Sequence, residues 1–357
     1  SLIQFDSAVD RALCVIVKEP LADGSSQMQD LAWIRSLPLH LSGLGFVRWA
    51  TLHGEKACLL SRLKVDEFIN EHVPMLQVIN RWPTLALGSC VIDRVMEVRS
   101  VSDEEPGFGK TQLTKLLLSI QETSHSNLIT HLNASGKVCA AASFISSSFK
   151  GSGQFIVGNG CGNPRIGMQG NMFITALRAR LLMPMFDSLE VFGGDFYCPC
   201  NDVFRMMEVP FHYLDCPQNK YWVKARHDAV KDRLALFLKA DLGRDVTIFI
   251  EPQLSGSQRR GDIRVTDGAS NKLIDVSVVN PSAACHLANL SHMSADIASG
   301  KSAQGKRNSY RNVAGLIVDP GSECNFIPFA IESTGRLGVD ALRFVTGLGV
   351  AREKVHA

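Results

Sequence analysis

The stretch Arg259–Pro281, which reads RRGDIRVTDGASNKLIDVSVVNP, decides the fold of the C-terminal part of this chain. Two short runs, GDIRV and LIDVSVV, flank the turn sequence TDGASNK. Apolar residues alternate with other residues along both runs, which is typical of β-strands that bury one face. The stretch therefore predicts a β-hairpin whose turn is centred between Gly268 and Ala269.

Two aspartates occupy equivalent places in this hairpin. Asp262 and Asp275 are equidistant from the centre of the turn. In a symmetric antiparallel hairpin they face one another, with Cβ atoms roughly 4.5–5.5 Å apart. The apolar residues of the two runs then share the other, buried face: Ile263, Val265, Ile274, Val276 and Val278. We therefore expect both carboxylates on one face of the hairpin.

Two carboxylates that face each other directly across a hairpin are destabilising, because they carry like charges. A divalent cation removes the repulsion, and Mg²⁺ is typically held by one or two carboxylates together with phosphate oxygens. Glu251, at the end of the preceding apolar run, is a candidate third acid. The pair thus predicts a metal held against a phosphodiester, with activated water as the nucleophile. The alternative is a surface hairpin with two solvated acids.

The sequence around the hairpin predicts a small α/β unit. A helix is expected from Arg226 to about Gly243, because its apolar residues recur at helical spacing. The run DVTIFIEP predicts a strand before the hairpin, and CNFIPFAI predicts one after it. A helical segment is expected over about 283–313, and a last helix from Val339. The predicted order is helix, three strands, helix, strand, helix.

The N-terminal half reads mostly as helices. The stretch GNMFITALRARLLMPMF predicts an amphipathic helix, with Arg178 and Arg180 on its polar side. No apolar run is long enough to span a bilayer, so no membrane association is expected. We predict an α+β multidomain chain whose last domain has a central mixed sheet. The predicted domains are a helical segment (1–60), a helical linker (61–190), a cysteine–histidine segment (191–222) and an α/β domain (223–357).

Four residues with zinc-binding side chains lie close together before the α/β domain. Cys198 and Cys200 are followed by His212 and Cys216. The second pair has a spacing that lets both side chains reach one tetrahedral ion, whereas the first pair is one residue shorter than usual. An irregular segment this short cannot form a core by itself, and structural Zn²⁺ would stabilise it. The alternative is a loop with unrelated thiols and a surface histidine.

The net charge is nearly balanced, with 37 basic residues against 35 acidic residues. In the C-terminal part, however, the bases come in groups, and such groups can contact phosphates even where distant acids cancel the total. A solvated charged surface is the alternative for each group. The groups are Lys220, Lys224 and Arg226; Arg259, Arg260 and Arg264; and Lys301, Lys306, Arg307 and Arg311.

Two other phosphate chemistries are excluded. Gly109, Lys110 and Thr111 match the end of a phosphate-binding loop, but Glu104 stands where that loop needs its first glycine. A carboxylate there would repel phosphate. A two-metal polymerase site usually carries adjacent aspartates, and the chain has no such pair.

The motifs RHDAV, LFL, EP, RRGDI and LIDVSVV, taken in this order over 226–279, resemble a known family. They are similar to the restriction-like endonuclease of non-LTR retrotransposons, a PD-(D/E)xK-type nuclease. In that family the nuclease lies at the C-terminus of a reverse transcriptase polyprotein, behind a Cys-Cys-His-Cys zinc knuckle. The cluster CPC…H…C precedes RHD here in the same order. Upstream, LPLHLSGLGF resembles the segment after the polymerase thumb, and FITALRARL resembles the helix before the knuckle.

The resemblance implies a role for each residue of the motifs. Asp262 matches the first acid and Asp275 the second, both as Mg²⁺ ligands. Gly261 replaces the proline that usually precedes the first acid, and Ser277 replaces the lysine that usually follows the second. In the retrotransposon branch this lysine is commonly relocated to the next helix, shortly before a tyrosine. Lys306, four residues before Tyr310, is then the catalytic lysine, with Lys301 as second choice.

The resemblance also implies partners. Arg226 and His227 match the family's basic pair and would contact DNA, with helix capping and packing as the alternative. From the basic groups, we also expect Arg259, Arg260, Lys301 and Arg307 to bind nucleic acid. The resemblance further implies catalytic Mg²⁺ and structural Zn²⁺. It also implies double-stranded target DNA in the nucleus and target-primed reverse transcription. The element RNA would be bound through the rest of the polyprotein, with the polymerase expected before Ser1. Two alternatives stay open: an inactive remnant that only binds nucleic acid, and a free-standing repair or recombination nuclease.

Overall fold

The structure is a computed structural model of the 357-residue chain. It describes residues 2–16, 26–44, 110–149, 151–153, 170–183, 214, 216–242, 246–254, 259–267, 270–313, 315–318 and 325–355. The chain divides into two compact units, Ser1–Leu128 and Ile129–Ala357. None of the helices in the described residues is long and apolar enough to cross a membrane.

The first unit is helical where it is described. It contains α1 (Leu2–Ile16), α2 (Ser26–Ser36) and most of α3 (Lys110–Ala134). An ion pair between Arg35 and Asp10 joins α2 to α1 with the guanidinium fully buried. The apolar residues packed in this unit include Leu13, Leu31, Ile34, Leu37 and Leu128.

The second unit combines helices with one mixed sheet. Its helices are α4 (Val138–Ser147), α5 (Gly170–Arg180), α6 (Lys220–Asp241), α7 (Ala284–Leu287), α8 (Ile297–Tyr310) and α9 (Val339–Val355). Its strands are β1 (Thr247–Ile250), β2 (Ile263–Asp267), β3 (Ser270–Val279) and β4 (Phe326–Glu332). They lie side by side in chain order, with β1, β2 and β3 antiparallel and β4 parallel to β3.

The hairpin has the register that symmetry about the turn predicts. Ile263 pairs with Ile274, and Asp267 pairs with Ser270, so the register is centred between positions 268 and 269. The residues predicted on the buried face include Ile263 and Ile274, which are fully buried. A one-residue slip would turn this apolar set to the opposite face, and burial therefore holds the register.

Helices cover both faces of the sheet. On one face, α6 and α9 pack their apolar residues against the hairpin and β4 in a cluster of Leu234, Leu238, Ile263, Val265, Ile274, Val276, Phe329 and Ala341. On the other face, the C-terminal end of α8 and the chain after it pack around Leu254, Leu273, Tyr310, Val313, Val318 and Phe326. Because β3 is covered on both sides, even its polar residue Asp275 is buried.

Several element boundaries differ from the sequence prediction. The helix α6 begins at Lys220 rather than Arg226. The prediction began too late because the first turns of the helix carry exposed apolar residues, which break the amphipathic pattern. The segment predicted as helical over 283–313 forms two helices, α7 and α8, separated by turns with Leu290 and Asp296 in left-handed backbone conformations. Residues 45–109, which belong to the predicted helical segment (1–60) and helical linker (61–190), lie outside the described residues.

The prediction that Arg178 and Arg180 lie on a polar surface of α5 is wrong. Both side chains are buried. The guanidinium of Arg180 donates a hydrogen bond to Ser152 Oγ at 3.3 Å, and burial lowers the pKa of Arg180 to about 10. Helical periodicity separates charged from apolar positions, but it does not reveal that another segment covers the charged side.

Candidate active site

The two aspartates of the hairpin meet where β2 begins. The register of β2 and β3 continues one step beyond Ile263 and Ile274 to bring Asp262 opposite Asp275. Asp262 Oδ2 accepts a hydrogen bond of 2.7 Å from the backbone N–H of Val276. The side chain of Asp262 is partly buried, and Asp275 is only 4% exposed. The alternative of two solvated acids on a surface is therefore wrong for Asp275.

One stripe of α8 supplies the polar contacts to β3. Ser302, Lys306 and Tyr310 are spaced four residues apart and so share one side of the helix. Ser302 Oγ donates to Ser277 Oγ at 2.7 Å. Tyr310 Oη lies 3.1 Å from Asp275 Oδ1 and 2.9 Å from the carbonyl oxygen of Arg260, and its single proton is shared between these two acceptors. The stripe thus runs along the polar residues of β3.

Lys306 forms an ion pair with the buried aspartate. Its Nζ lies 2.6 Å from Asp275 Oδ2. The two atoms form an ion pair, but Asp275 Oδ2 accepts no hydrogen bond of good geometry from any described residue. Lys306 is about one-third exposed, so its ammonium group reaches both the buried carboxylate and the solvent. Lys301, the second candidate lysine, is exposed on α8.

His227 of α6 contacts the other aspartate. Its Nε2 lies 3.2 Å from Asp262 Oδ2 and 3.2 Å from the carbonyl oxygen of Val276, while Nδ1 lies 3.2 Å from Asp228 Oδ1. Both ring nitrogens face acceptors, which favours the imidazolium form because it donates from both. The hydrogen bond to Asp262, followed by that to Asp228, outweighs burial and raises the pKa of His227 to about 9.

The environments of the two aspartates shift their pKa values in opposite directions. Burial raises the pKa of Asp275, and the Lys306 ammonium only partly offsets this. Burial acts the same way on Asp262, but the hydrogen bonds from His227 and the Val276 amide outweigh it and lower the pKa of that carboxyl. Two neighbouring carboxyl groups with opposite shifts are typical of functional sites, although structural ion pairs also produce them.

The donor set fits a hard divalent cation such as Mg²⁺. Among the described residues, both hydrogen bonds to the Asp262 carboxylate fall on Oδ2, so Oδ1 remains for a ligand. Asp275 Oδ2 is buried and contacts only the Lys306 ammonium among those residues. Two carboxylates suffice for Mg²⁺, which usually keeps several waters and binds substrate phosphate oxygens as well.

Glu251 lies beside the hairpin but does not complete a three-acid cluster. Its backbone N–H donates to the carbonyl oxygen of Asp262 at 2.8 Å. Its side chain forms an ion pair of 2.5 Å with Lys231, which lowers the pKa of Glu251. No group of three or more histidine, cysteine, aspartate or glutamate side chains converges in the part of the chain that the structure describes.

The basic residues near the site differ in exposure and in their contacts. Arg259 and Arg260 are exposed beside Tyr310, and the Arg259 guanidinium lies 5.8 Å from the centre of the Tyr310 ring and donates to the carbonyl oxygen of Ser309. Arg226 instead donates to the carbonyl oxygen of Leu214 at 3.1 Å. Arg307 is largely buried and forms an ion pair of 2.6 Å with Asp340 of α9.

The predicted zinc site is described at one position only. Cys216 is buried and precedes a short 3-10 helix, Pro217–Asn219, that leads into α6. Cys198, Cys200 and His212 lie outside the described residues. The zinc knuckle therefore stays a prediction.

Both departures from the family pattern have a structural counterpart. A Cβ atom placed on Gly261 would lie 2.4 Å from Leu273 Cδ1, so Leu273 fills the space that a side chain there would need. At Ser277 the partner is Ser302 of α8. The lysine at Asp275 thus comes from α8, one turn after the residue that contacts Ser277.

Sequence reasoning missed a buried acid that holds α8 in place. Glu332, at the end of β4, accepts hydrogen bonds from the Ser299 N–H at 3.2 Å and from Ser299 Oγ at 2.9 Å. Ser146 of α4 donates to its other carboxylate oxygen. Asp296, the residue just before α8, does not cap the helix with its side chain, because that side chain pairs with Arg336. The sequence signal for this contact was a single acidic residue, Glu332, at the end of the apolar run that forms β4.

No protein-family model matches the chain, and no curated protein matches it.

Proposed function

We propose that the second unit is a Mg²⁺-dependent DNA endonuclease that nicks target DNA for a non-LTR retrotransposon. The observation that carries the proposal is the 2.6 Å ion pair between Lys306 Nζ and Asp275 Oδ2. The resemblance requires a lysine at the second acid, and the residue usual there is Ser277 in this chain. Lys306 lies on α8, the helix before β4, and contacts Asp275. This contact supports a catalytic lysine that has been relocated from position 277 to α8.

The fold is compatible with this proposal. The resemblance implies a restriction-endonuclease-like domain with a central mixed sheet, and the chain has a four-stranded mixed sheet flanked by helices. Asp262 immediately precedes β2, Asp275 lies on β3, and the lysine comes from α8, which lies between β3 and β4. The reverse transcriptase, the zinc knuckle, the element RNA and a nuclear location rest on the resemblance.

Each residue of the site has a distinct task in phosphodiester hydrolysis. Asp262 and Asp275 would hold Mg²⁺, which when bound activates water and offsets phosphate charge. Lys306 carries a proton on Nζ and can donate it in a hydrogen bond to water or to a phosphate oxygen, where negative charge develops in the transition state. Tyr310 fixes Asp275 Oδ1 and leaves Oδ2 towards Lys306.

Two cationic groups face the two aspartates before any ligand binds. Lys306 pairs with Asp275. His227 carries a positive charge at neutral pH, since its pKa is about 9, and it lies between Asp262 and Asp228. A divalent cation would add two positive charges beside Asp262 and Asp275 and so favour an anionic phosphodiester.

A plasmid-nicking assay tests the proposal. The full-length chain should convert supercoiled plasmid to the open circle when Mg²⁺ is added and should not do so without it. Asp262→Asn, Asp275→Asn and Lys306→Ala should each reduce the rate by at least about 100-fold, as expected for groups that stabilise the transition state. Asp232→Asn removes an exposed carboxylate of α6 and serves as the matched control. Wild-type nicking by both aspartate variants would refute the site.

The same assay separates the two candidate lysines. Lys301→Ala should retain nicking within about threefold, because the loss of one exposed phosphate contact costs little. Lys306→Ala should not retain it. If only Lys301→Ala abolished nicking, the ion pair to Asp275 would have a structural role alone.

A binding-only remnant is the second candidate. Gly261 and Ser277 depart from the family pattern, and His227 and Lys306 already neutralise both acids. This alternative predicts DNA binding that weakens steeply with salt and no cleavage with Mg²⁺. Plasmid binding without nicking, from a folded chain, would favour it.

A further inference from the structure

The start of α6 is an exposed aromatic and basic surface. Tyr221 is 76% exposed and Trp222 is 62% exposed, and their rings contact each other edge to face with centroids 5.4 Å apart. Lys220 and Lys224 beside them are exposed as well. We refer to Lys220, Tyr221, Trp222 and Lys224 as the α6 platform. Two large aromatic rings left in water at one place are typical of a binding surface.

The α6 platform is rigidly connected to the candidate active site. Lys220, Lys224 and His227 are spaced four and three residues apart, so they share one side of the helix. Tyr221 lies next to that side, and the Trp222 ring that it contacts lies further round the helix. The helix rises about 7.5 Å over the five residues from Trp222 to His227. This is about the length of two stacked nucleotides. Leu238 at the other end of α6 is buried in the core of the sheet, which fixes the direction of the helix.

We propose that the α6 platform binds unpaired nucleotides, with bases stacked on Trp222 and Tyr221 and phosphates paired with Lys220 and Lys224. The inference rests on the proposed function for its choice of nucleic acid as the partner. Base faces are accessible to aromatic side chains only where the strand is unpaired, and stacking on them is largely independent of sequence. A duplex would engage the lysines but leave the rings without a partner.

A protein segment fits the α6 platform less well. Such a segment would have to cover two lysine ammonium groups together with the rings, and burying an unpaired charge is costly. A nucleic acid strand presents both phosphates and apolar base faces, which suits a surface where two lysines flank two adjacent aromatic side chains.

Binding to labelled oligonucleotides tests the proposal. The full-length chain is titrated, without added divalent cation, into a fluorescein-labelled single strand and into a duplex of the same sequence. Trp222→Ala should raise the Kd for the single strand about tenfold and change the Kd for the duplex less than about twofold. Trp222→Phe should retain most of the affinity, whereas Trp222→Leu should not. Leu236→Ala removes a 61% exposed apolar side chain from the same helix and should change neither Kd.

The lysines have a separate readout. Replacing both Lys220 and Lys224 by alanine should reduce the slope of log affinity against log salt for the single strand by about 1.4. Equal weakening of single-strand and duplex binding by Trp222→Ala, or no weakening, would overturn the platform. So would a lower melting temperature of Trp222→Ala than of Leu236→Ala, since the ring would then be packed against the chain.

The single-strand binding of the α6 platform and the proposed nuclease activity can fail independently. Single-strand binding by the platform does not need Asp262 or Asp275, so Asp275→Asn should bind the strand normally even where nicking is lost. A chain that binds single strands through Trp222 but never nicks supports the platform and refutes the nuclease.

Discussion

Lys306 Nζ and Asp275 Oδ2 form a 2.6 Å ion pair between helix α8 and strand β3. The carboxylate is buried and its pKa is raised by that burial, while Lys306 lowers it. The ammonium group therefore allows an ionised carboxylate to exist inside the sheet. We therefore expect the stability of the chain, and not only the proposed activity, to depend on Lys306.

Lys306→Ala should destabilise the second unit by about 1–3 kcal/mol at pH 8, because it leaves a buried carboxylate without its cation. The loss should shrink as the pH falls through the raised pKa of Asp275, since a protonated carboxyl needs no counter-charge. Urea unfolding at pH 5 and pH 8 measures both effects. Lys239→Ala, an exposed position on α6, should cost less than about 0.5 kcal/mol at either pH.

A double-mutant cycle isolates the pair. In the Asp275→Asn background, Lys306→Ala should cost much less than in the unchanged chain, because the charge it compensates is gone. Equal costs in both backgrounds would show that Lys306 stabilises through packing of its aliphatic stem.

His227 should give the metal-free protein a stability that declines in alkaline solution. Its pKa is raised from 6.5 to about 9 in the folded chain, chiefly by Asp262. A raised pKa means that the folded state binds the proton more tightly, so this stabilisation is complete below pH 6.5 and is lost as the pH rises through about 9. The urea midpoint should therefore fall between pH 6.5 and 9.5, and His227→Gln should flatten that fall. His131→Gln, an exposed site on α3, should leave it unchanged.

The sequence was most informative where a short-range period decided the structure. The two-residue alternation and the symmetric turn predicted the register that pairs Ile263 with Ile274. The order of helices and strands from α6 onward was also predictable, except that the helical segment expected over about 283–313 forms two helices. The placement of Lys306 came from the resemblance, through its spacing to Tyr310, and not from periodicity.

Contacts between distant elements could not be predicted in the same way. Periodicity shows which side of a strand is apolar, but not that α8 covers the other side and buries Asp275. His227 was expected to face DNA, and its approach to Asp262 depends on how α6 packs on the sheet. The burial of Arg178 and Arg180 has the same origin.

Tyr310→Phe should separate the hydroxyl group from the ring. The variant loses the hydrogen bonds to Asp275 Oδ1 and to the carbonyl oxygen of Arg260 but keeps the ring contact with Phe326 at 4.7 Å. Leaving two acceptors without this donor should cost about 1–3 kcal/mol in urea unfolding. The pKa of Asp275 should rise further. Tyr221→Phe, at an exposed ring, should be neutral for stability.

Leu238→Ala and Leu236→Ala form a matched pair on α6. Leu238 is fully buried in the cluster under the sheet, whereas Leu236 is exposed. Leu238→Ala should cost about 2–5 kcal/mol because it leaves a cavity, and Leu236→Ala should cost less than about 0.5 kcal/mol. Thermal unfolding followed by circular dichroism measures the difference. Similar costs would mean that α6 packs on the sheet through another side.

Gly261→Ala should destabilise the chain by about 1–3 kcal/mol through overpacking. The new Cβ atom would lie 2.4 Å from Leu273 Cδ1, and Leu273, on β3, is buried against Tyr310 and the chain after α8. Gly305→Ala is the matched control: its Cβ would meet no atom within 4 Å, and alanine in a helix is favoured over glycine by up to about 1 kcal/mol. The control should therefore be slightly stabilising.

The cause of the Gly261 effect can be tested with a second substitution. In the Leu273→Ala background the obstructing methyl group is absent, so Gly261→Ala should cost at least about 0.5 kcal/mol less than it does alone. Because Gly261 precedes Asp262, the single variant should also displace that carboxylate and slow nicking, and Leu273→Ala should restore part of the rate. Additive stability effects would mean that the backbone at Gly261, and not Leu273, resists a side chain.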